Sequence, residues 1–200
     1  MTRAGSQREV EIKLSLPSAA HGRRLLRQAG FRVIRRRVYE DNLVFDTPQG
    51  RLRSGNLLLR LRVAGCVATL TFKGPPSKGR YKSRIESETP VSDPAACREI
   101  LHRLGFRQVY RYEKYRTEYL GLDEHGVVAL DETPVGVFLE LEGSPSWIDS
   151  TARLLGFVRK SYISESYIAL YLSGRRRLGL PLRAMVFPRA TPRCGSGTPH

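Results

Sequence analysis

Cysteine is scarce in this 200-residue chain and follows no pattern. Cys66, Cys97 and Cys194 have neither metal-ligand spacing nor an even count, which excludes a zinc motif or disulfide framework and fits a reduced, cytoplasmic setting. His21, His102 and His125 are scattered, so no imidazole cluster offers itself as a metal site. No stretch approaches the roughly 20 apolar residues of a membrane span, and Met1–Gln7 lacks the apolar run of a signal peptide, so no membrane role is expected. Acids are short too: 19 Asp and Glu stand against 34 Lys and Arg, a net charge of +15. Ser173–His200 accounts for +6 of this, through Arg175, Arg176, Arg177, Arg183, Arg189 and Arg193 with no acid, and leaves +9 on residues 1–172. A body that basic attracts anions such as phosphates, nucleotides or nucleic acid.

What is present is alternation. Runs with side chains alternating between apolar and charged read as half-buried strands: Arg8–Leu16, Phe31–Phe45, Asn56–Val63, Cys66–Lys73, Tyr81–Val91, Gln108–Leu122, Val127–Asp131 and Val135–Glu142. Asp46–Gly50 and Gly74–Gly79 punctuate them as turn and loop. Three helix-length stretches each end in Gly-Phe, at Gly30-Phe31, Gly105-Phe106 and Gly156-Phe157, where glycine suits a left-handed helix stop. Ser164–Leu172 reads as a short closing helix. Many hairpin-linked strands with helices between them predict an α+β protein built on a closed antiparallel β-barrel or strongly curved sheet. The expected domain is 1–172, followed by a basic Arg/Pro/Gly-rich tail, 173–200, expected to be disordered.

Side chains two apart on a strand share a face. Glu9, Glu11 and Lys13 therefore align, as do Arg60 with Arg62, and Lys82, Arg84, Glu86 and Glu88. Thr69, Thr71 and Lys73 form another such row, and so do Lys114, Arg116 and Glu118, and Glu140 with Glu142. A wet sheet face is normally polar, but these faces are almost wholly ionic, and Glu-x-Glu recurs three times. Neighbouring like charges destabilise a sheet unless a counter-ion sits among them. Carboxylates without Cys or His suit a hard ion such as Mg²⁺ or Mn²⁺. The accompanying Arg and Lys suit phosphate oxygens.

Glu9-Val10-Glu11-Ile12-Lys13 resembles the hallmark of the CYTH domain, or triphosphate tunnel metalloenzyme, family. The resemblance continues in order through Leu59–Arg62, Leu70–Gly74, Arg84–Glu88, Arg111–Arg116, Leu130–Glu132 and Phe138–Glu142, covering roughly residues 8–172. It implies an eight-stranded antiparallel tunnel, charged inside, with helices outside, that binds a nucleoside triphosphate or other triphosphate with Mg²⁺ or Mn²⁺. By resemblance, Glu9, Glu11, Asp131, Glu140 and Glu142 hold metal. Lys13, Arg60, Arg62, Lys73, Arg84, Lys114 and Arg116 hold phosphate, and Glu86, Lys114 and Arg116 are the catalytic candidates. The Asp131–Glu142 stretch looks closest to class IV adenylyl cyclases, which convert ATP to cyclic AMP and pyrophosphate. Inorganic or thiamine triphosphatase activity is the alternative, and a nucleic-acid or polyphosphate binding module is the non-enzyme rival. Nonspecific nucleic-acid contact through the basic tail and homodimer formation stay open.

Overall fold

The computed structural model describes residues 7–77, 79–121, 124–181 and 183–188. Along the chain come β1 (Gln7–Leu16), α1 (Ala19–Gln28), β2 (Arg32–Asp46), α2 (Arg51–Ser54), β3 (Leu58–Ala64), β4 (Val67–Lys73) and β5 (Lys82–Val91). Then follow α3 (Pro94–Arg103), β6 (Arg107–Leu120), β7 (Gly126–Thr133), β8 (Gly136–Gly143), α4 (Pro145–Leu154) and α5 (Tyr167–Arg177). The strands close into one antiparallel barrel in the order β1-β5-β4-β3-β2-β6-β7-β8, the expected α+β architecture. Closure leaves no unpaired edge strand.

The barrel is built inside out. Across β1 and β8, Glu11 faces Glu142 and Lys13 faces Glu140, while Ile12 faces Leu141 and Leu14 faces Leu139. The apolar set points outward and is covered. Ile12, Leu14, Val128, Leu130, Leu139 and Leu141 are fully buried beneath Leu26 of α1 and Trp147, Ile148 and Ala152 of α4. Each such side chain contributes about 1.5–3 kcal/mol by leaving water. A second outer layer packs Leu43, Phe45 and Leu61 against Leu101 of α3. Close approach of Trp147 needs bare backbone beneath it: a Cβ at Gly126 or Gly143 would stand 2.5 or 2.8 Å from the indole. With the outer face supplying the hydrophobic core, the ionic face is left to line the interior.

The covering helices are fixed by local chemistry. Ser18, Asp93 and Ser144 accept first-turn amides of α1, α3 and α4. At the other ends Gly30, Gly105 and Gly156 have φ of +81°, +91° and +84°, as expected of the three Gly-Phe stops. The following Phe amide then bonds back to Leu26, Leu101 or Ala152 at 2.9–3.0 Å.

Two segments differ from expectation. The turn after β2 continues into α2, because the Asp46 carboxylate accepts the amides of Thr47, Leu52 and Arg53 at 2.7, 2.8 and 3.0 Å. The expected boundary at residue 172 falls inside α5. The described chain beyond α5 includes Met185, which is fully buried and pairs with β6 beside Tyr112. The reason is an open flank: β6 bonds β7 only from Tyr115 onward, so the amide of Glu113 and the carbonyl of Arg111 are free to take Met185. Residues 189–200 of the predicted tail lie outside the described residues. No helix among the described residues is long and apolar enough to cross a membrane.

Candidate active site

All eight strands send ionic side chains into one enclosed space. On one wall Lys13 Nζ lies 2.9 Å from Glu11 Oε1 and 3.1 Å from Glu140 Oε2. Next to it Arg116 bridges Asp131 and Glu140, and Lys114 Nζ lies 3.0 Å from Asp131 Oδ2 and 3.5 Å from Glu40 Oε2. Opposite, Lys73 Nζ lies 2.6 Å from Glu9 Oε2 and 3.0 Å from Glu86 Oε2. Arg60 donates to Thr71, Tyr112 and Glu88 at 3.1–3.3 Å, and Arg62 donates to Asn42. Lys82 pairs with Glu11.

The residues expected from sequence, from Glu9 through Glu142, thus converge on one interior. Their neighbours are not all as expected. Lys114 and Arg116 meet at Asp131, whereas Glu86 stands on β5, four strands away around the ring and so on the opposite wall. Asp131, expected among the metal ligands, already takes four donors: Lys114, Arg116 twice at 2.7 and 2.6 Å, and the Tyr167 hydroxyl at 2.8 Å. Its carboxylate holds bases in place. Arg84 is the reverse case, with a buried Nε that has no hydrogen-bond acceptor among the described residues.

Glu40, Lys82 and Tyr167 join the site although none is among the site residues expected from sequence, Tyr167 being expected only in the helix that closes one barrel mouth. Glu40 is fully buried and faces Lys114 and Arg62. Its signal was present, since Glu40, Asn42 and Val44 alternate with outward Leu43 and Phe45, but the register shifts upstream in β2 interrupt the alternation. Lys82 lay in a charged row already noted. Tyr167 sits on a helix, where period-2 counting has no reach.

The acids divide into two electrostatic types. Burial opposes ionisation of Glu11, as does Glu140, yet Lys13, Lys82 and Lys73 outweigh both and hold it at about 2. Glu140 is likewise held well below the usual range, by Lys13, Arg116 and Lys114 acting against burial. Burial pushes Glu142 up to about 7, with Glu9 and Glu140 adding to it. Glu86 rises to about 8 through burial, with Glu9 adding and Lys73 opposing. Among the described residues no cation pairs with Glu142. A surplus of carboxylate oxygen near Glu9, Glu86 and Glu142 is a donor set that suits a hard divalent cation. Among the described residues no three such groups already stand in coordination geometry.

Glu40 gives a pH prediction. Burial raises its pKa, but Lys114, Arg62, Arg116 and Arg60 bring it down to about 2. A depressed folded-state value means stability that is present above the unfolded value and lost as pH falls through the folded one. The loss from Glu40 therefore runs from about pH 4.5 to about pH 2 and amounts to something on the order of 3 kcal/mol. In urea melts across this window, Glu40→Gln is expected to flatten the acid limb. An unchanged limb contradicts the assignment.

The interior opens at one end beside a cavity of about 160 Å³ lined by Arg116, Glu118, Val127, Ala129, Glu140 and Glu142. A larger groove, about 810 Å³, lies on the outer face between Tyr39, Tyr115, Tyr171 and Phe187, and the ionic residues of the interior do not line it.

The CYTH domain model matches residues 7–167. A provisionally named adenylate cyclase of Methanocaldococcus jannaschii is 31% identical over 147 residues, 74% of this chain and 83% of the relative. A provisionally named adenylate cyclase from Vibrio parahaemolyticus has a structure alike at TM-score 0.73 and 18% identity, covering 84% of this chain and 99% of that one, a likeness of fold alone. A provisionally named adenylyl cyclase from Hippeastrum, described as revealing a dominant triphosphatase activity, is alike at TM-score 0.61 and 25% identity, covering 83% of this chain and 96% of that one. Sequence identity over most of the chain, with a family match running from the first strand to the start of α5, goes beyond likeness of fold: this chain belongs to the CYTH domain family.

Proposed function

We propose that the chain is a divalent-metal-dependent enzyme acting on a nucleoside triphosphate inside the barrel, and that conversion of ATP to cyclic AMP and pyrophosphate is the reaction its geometry supports best. The observation that carries this reading is the order of charges along the barrel axis. On β1, Glu9 is nearer the open end and Lys13, 2% exposed and paired through its backbone with Ile163, is nearer α5. On β6 the same order runs from Glu118, at the open cavity, to Lys114. Glu142 lies outside Glu140 on β8, and Glu86 pairs with the first residue of β1. On these strands Glu9, Glu86, Glu118 and Glu142 therefore stand toward the mouth and Lys13 and Lys114 lie deep, while Lys73 stands among the mouth acids, 2.6 Å from Glu9 and 3.0 Å from Glu86.

A nucleotide entering phosphates first would set its outer phosphoryl groups among Lys13, Lys114 and Arg116, with Arg60 and Lys73 reaching them from beside Glu86. Its α-phosphate would lie at the level of the acids. Arg62, Lys82 and Arg84 line the intermediate path, where Arg84 has a donor to give. Glu9, Glu11, Glu140 and Glu142 would hold the cation, with Glu86 beside them, while Asp131 positions Lys114 and Arg116. When bound, a divalent cation offsets phosphate charge and favours ionisation of an attacking hydroxyl. In cyclisation the 3′-hydroxyl gives up its proton to water at the mouth, its oxygen bonds to the α-phosphorus, the bond from that phosphorus to the bridging oxygen breaks, and pyrophosphate leaves with its charge on the deep bases. Preorganised cations at developing charge are the main source of such rate enhancement.

Hydrolysis of the terminal phosphate is the second reading, supported by the activity described for the Hippeastrum neighbour. The nucleic-acid rival is weakened by the acids at the mouth, which repel a phosphate backbone. Incubation with ATP and Mn²⁺ or Mg²⁺, and separately with inorganic triphosphate, is expected to give cyclic AMP and pyrophosphate from the first. Orthophosphate from either substrate, with no cyclic nucleotide, would replace this reading with the hydrolytic one.

A further inference from the structure

The outer face carries a second concavity, separate from the ionic interior. Among the described residues four aromatic rings, Tyr39, Tyr115, Tyr171 and Phe187, line the groove of about 810 Å³. Tyr39 and Phe187 flank Tyr115, with ring centroids 5.4 and 5.3 Å from it, and Tyr39 is 37% exposed. These rings are held in place. The Tyr171 hydroxyl donates to the Ala184 carbonyl at 3.2 Å, and the Phe187 amide donates to Glu113 at 3.0 Å. Met185 exchanges backbone bonds with Arg111 and Glu113, which ties the outer lip of the groove to β6. A planar group already lies against one ring: the Arg37 guanidinium stands 3.5 Å from the Tyr115 centroid, anchored by Glu132.

Positive charge is left over around this groove. Among the described residues that line it the one acid is Glu113, which is 8% exposed and already taken by Arg111 at 2.8 Å and by the Phe187 amide. Asp41 is held by the Nε and Nη2 donors of Arg111 at 2.8 and 3.1 Å. Arg183 lines the groove, and Arg175, 5.4 Å from the Tyr171 ring, shares the last turn of α5 with Arg176 and Arg177. Among the described residues none of these four arginines ion-pairs with an acid. The carbonyl end of α5 offsets only about half a charge. An apolar ligand would leave the cations unused, and a simple anion would leave the rings unused. A chain that alternates flat rings with phosphates uses both.

We propose that this outer groove binds single-stranded nucleic acid, with bases stacking on Tyr39, Phe187 and Tyr171 and backbone phosphates meeting Arg175 and Arg183. The groove lies beside α5 and Met185, at the end of the barrel away from the acids of the mouth, so those acids do not repel the strand. A duplex fits less well, because its ring faces stay within its own stack. An acidic peptide fits less well too, because its carboxylates bring charge without a flat face. Stacking and phosphate contact tolerate any base, so the groove reads no sequence. The inference stands apart from the reaction proposed for the interior, since the bases and acids of that site do not line the groove.

The test is fluorescence anisotropy of labelled oligouridylate and oligothymidylate, each of about 12 nucleotides, titrated with the full-length protein across a salt series. Polyglutamate of matched charge is the base-free comparison, and every variant is checked for folding by urea melt. At least one strand is expected to bind with a dissociation constant of about 1–100 μM at physiological salt, and the tighter one names RNA or DNA as the ligand. Polyglutamate should bind at least about tenfold more weakly. Tyr39→Ala should lower strand affinity about 5- to 100-fold. Tyr39→Leu, which keeps apolar bulk against Tyr115 without a stacking face, should do the same and serves where the alanine variant does not fold. Arg175→Gln combined with Arg183→Gln should make the log–log salt slope shallower by about 1.4, since each lost contact to a single strand removes about 0.7. Excess inorganic triphosphate at matched ionic strength should not displace the strand. Absence of strand binding, equal binding of polyglutamate, unchanged affinity in the Tyr39 variants, an unchanged slope in the arginine variant, or displacement by triphosphate each overturns the proposal.

Discussion

Replacing Asp131 with asparagine is expected to lower the unfolding free energy by about 3–5 kcal/mol, the range found when one partner of a buried ion pair is removed. Asn and Asp are nearly the same size, so the change opens no cavity and tests charge alone. Asp131 is fully buried and takes Lys114, the Nε and Nη2 donors of Arg116 and the Tyr167 hydroxyl. An amide offers one acceptor oxygen and turns N–H donors toward two cations, Lys114 and Arg116, whose side chains are only 4% and 11% exposed. Glu40 stays 3.5 Å from Lys114 and Glu140 stays beside Arg116, which keeps the loss at the scale of one pair. A contrast comes from Arg32 and Glu124, an ion pair whose side chains are 62% and 60% exposed. Removing Glu124 should change stability by no more than about 1 kcal/mol. Both values come from urea midpoints at unchanged slope. A loss at Asp131 as small as that at Glu124 would mean that the interior is wet and screened.

Much of this was legible because a strand has a period of two. Glu9, Glu11 and Lys13 announce a shared face however the strand is used, and the three Gly-Phe stops announce helix ends because glycine reaches positive φ without a clash. The direction of the ionic face was a different matter. Alternation says that one side is charged, and ordinary experience puts that side in water. The density of like charge, which needs a matching cation and anion, and three helix-length stretches able to cover the apolar side point it inward, and the family resemblance agrees; the structure supplies the cover with α1, α3 and α4. Glu40 was hidden by register shifts at Val33, Arg35 and Val38, where the count of alternate residues breaks. Past residue 172, composition misled. Arg175–Arg177 look like the start of a solvated tail, yet they finish α5, and Met185 further on is buried against β6. Local richness in Arg, Gly and Pro says little about a segment that fills an unpaired stretch of strand.

Glu142→Gln should separate function from stability in the direction opposite to Asp131→Asn. Glu142 is a carboxyl that burial, Glu9 and Glu140 push up to about 7, with no paired cation among the described residues. Folding gains nothing from its charge, so a neutral amide of the same shape should leave stability unchanged or raise it by up to about 1 kcal/mol, the scale of like-charge relief across strands. If Glu142 instead serves to hold a divalent cation beside the reacting phosphate, turnover at saturating substrate and metal should fall by about 100- to 1000-fold, the usual effect of removing one preorganised electrostatic group. Binding of inorganic triphosphate without metal should be kept or tighten, since one repelling acid is gone from the path. The measurements are urea midpoint, metal-free affinity and turnover on one preparation. Lost stability with intact turnover would make Glu142 a structural partner of the bases, and the acids at the mouth would then no longer be the place where a metal works.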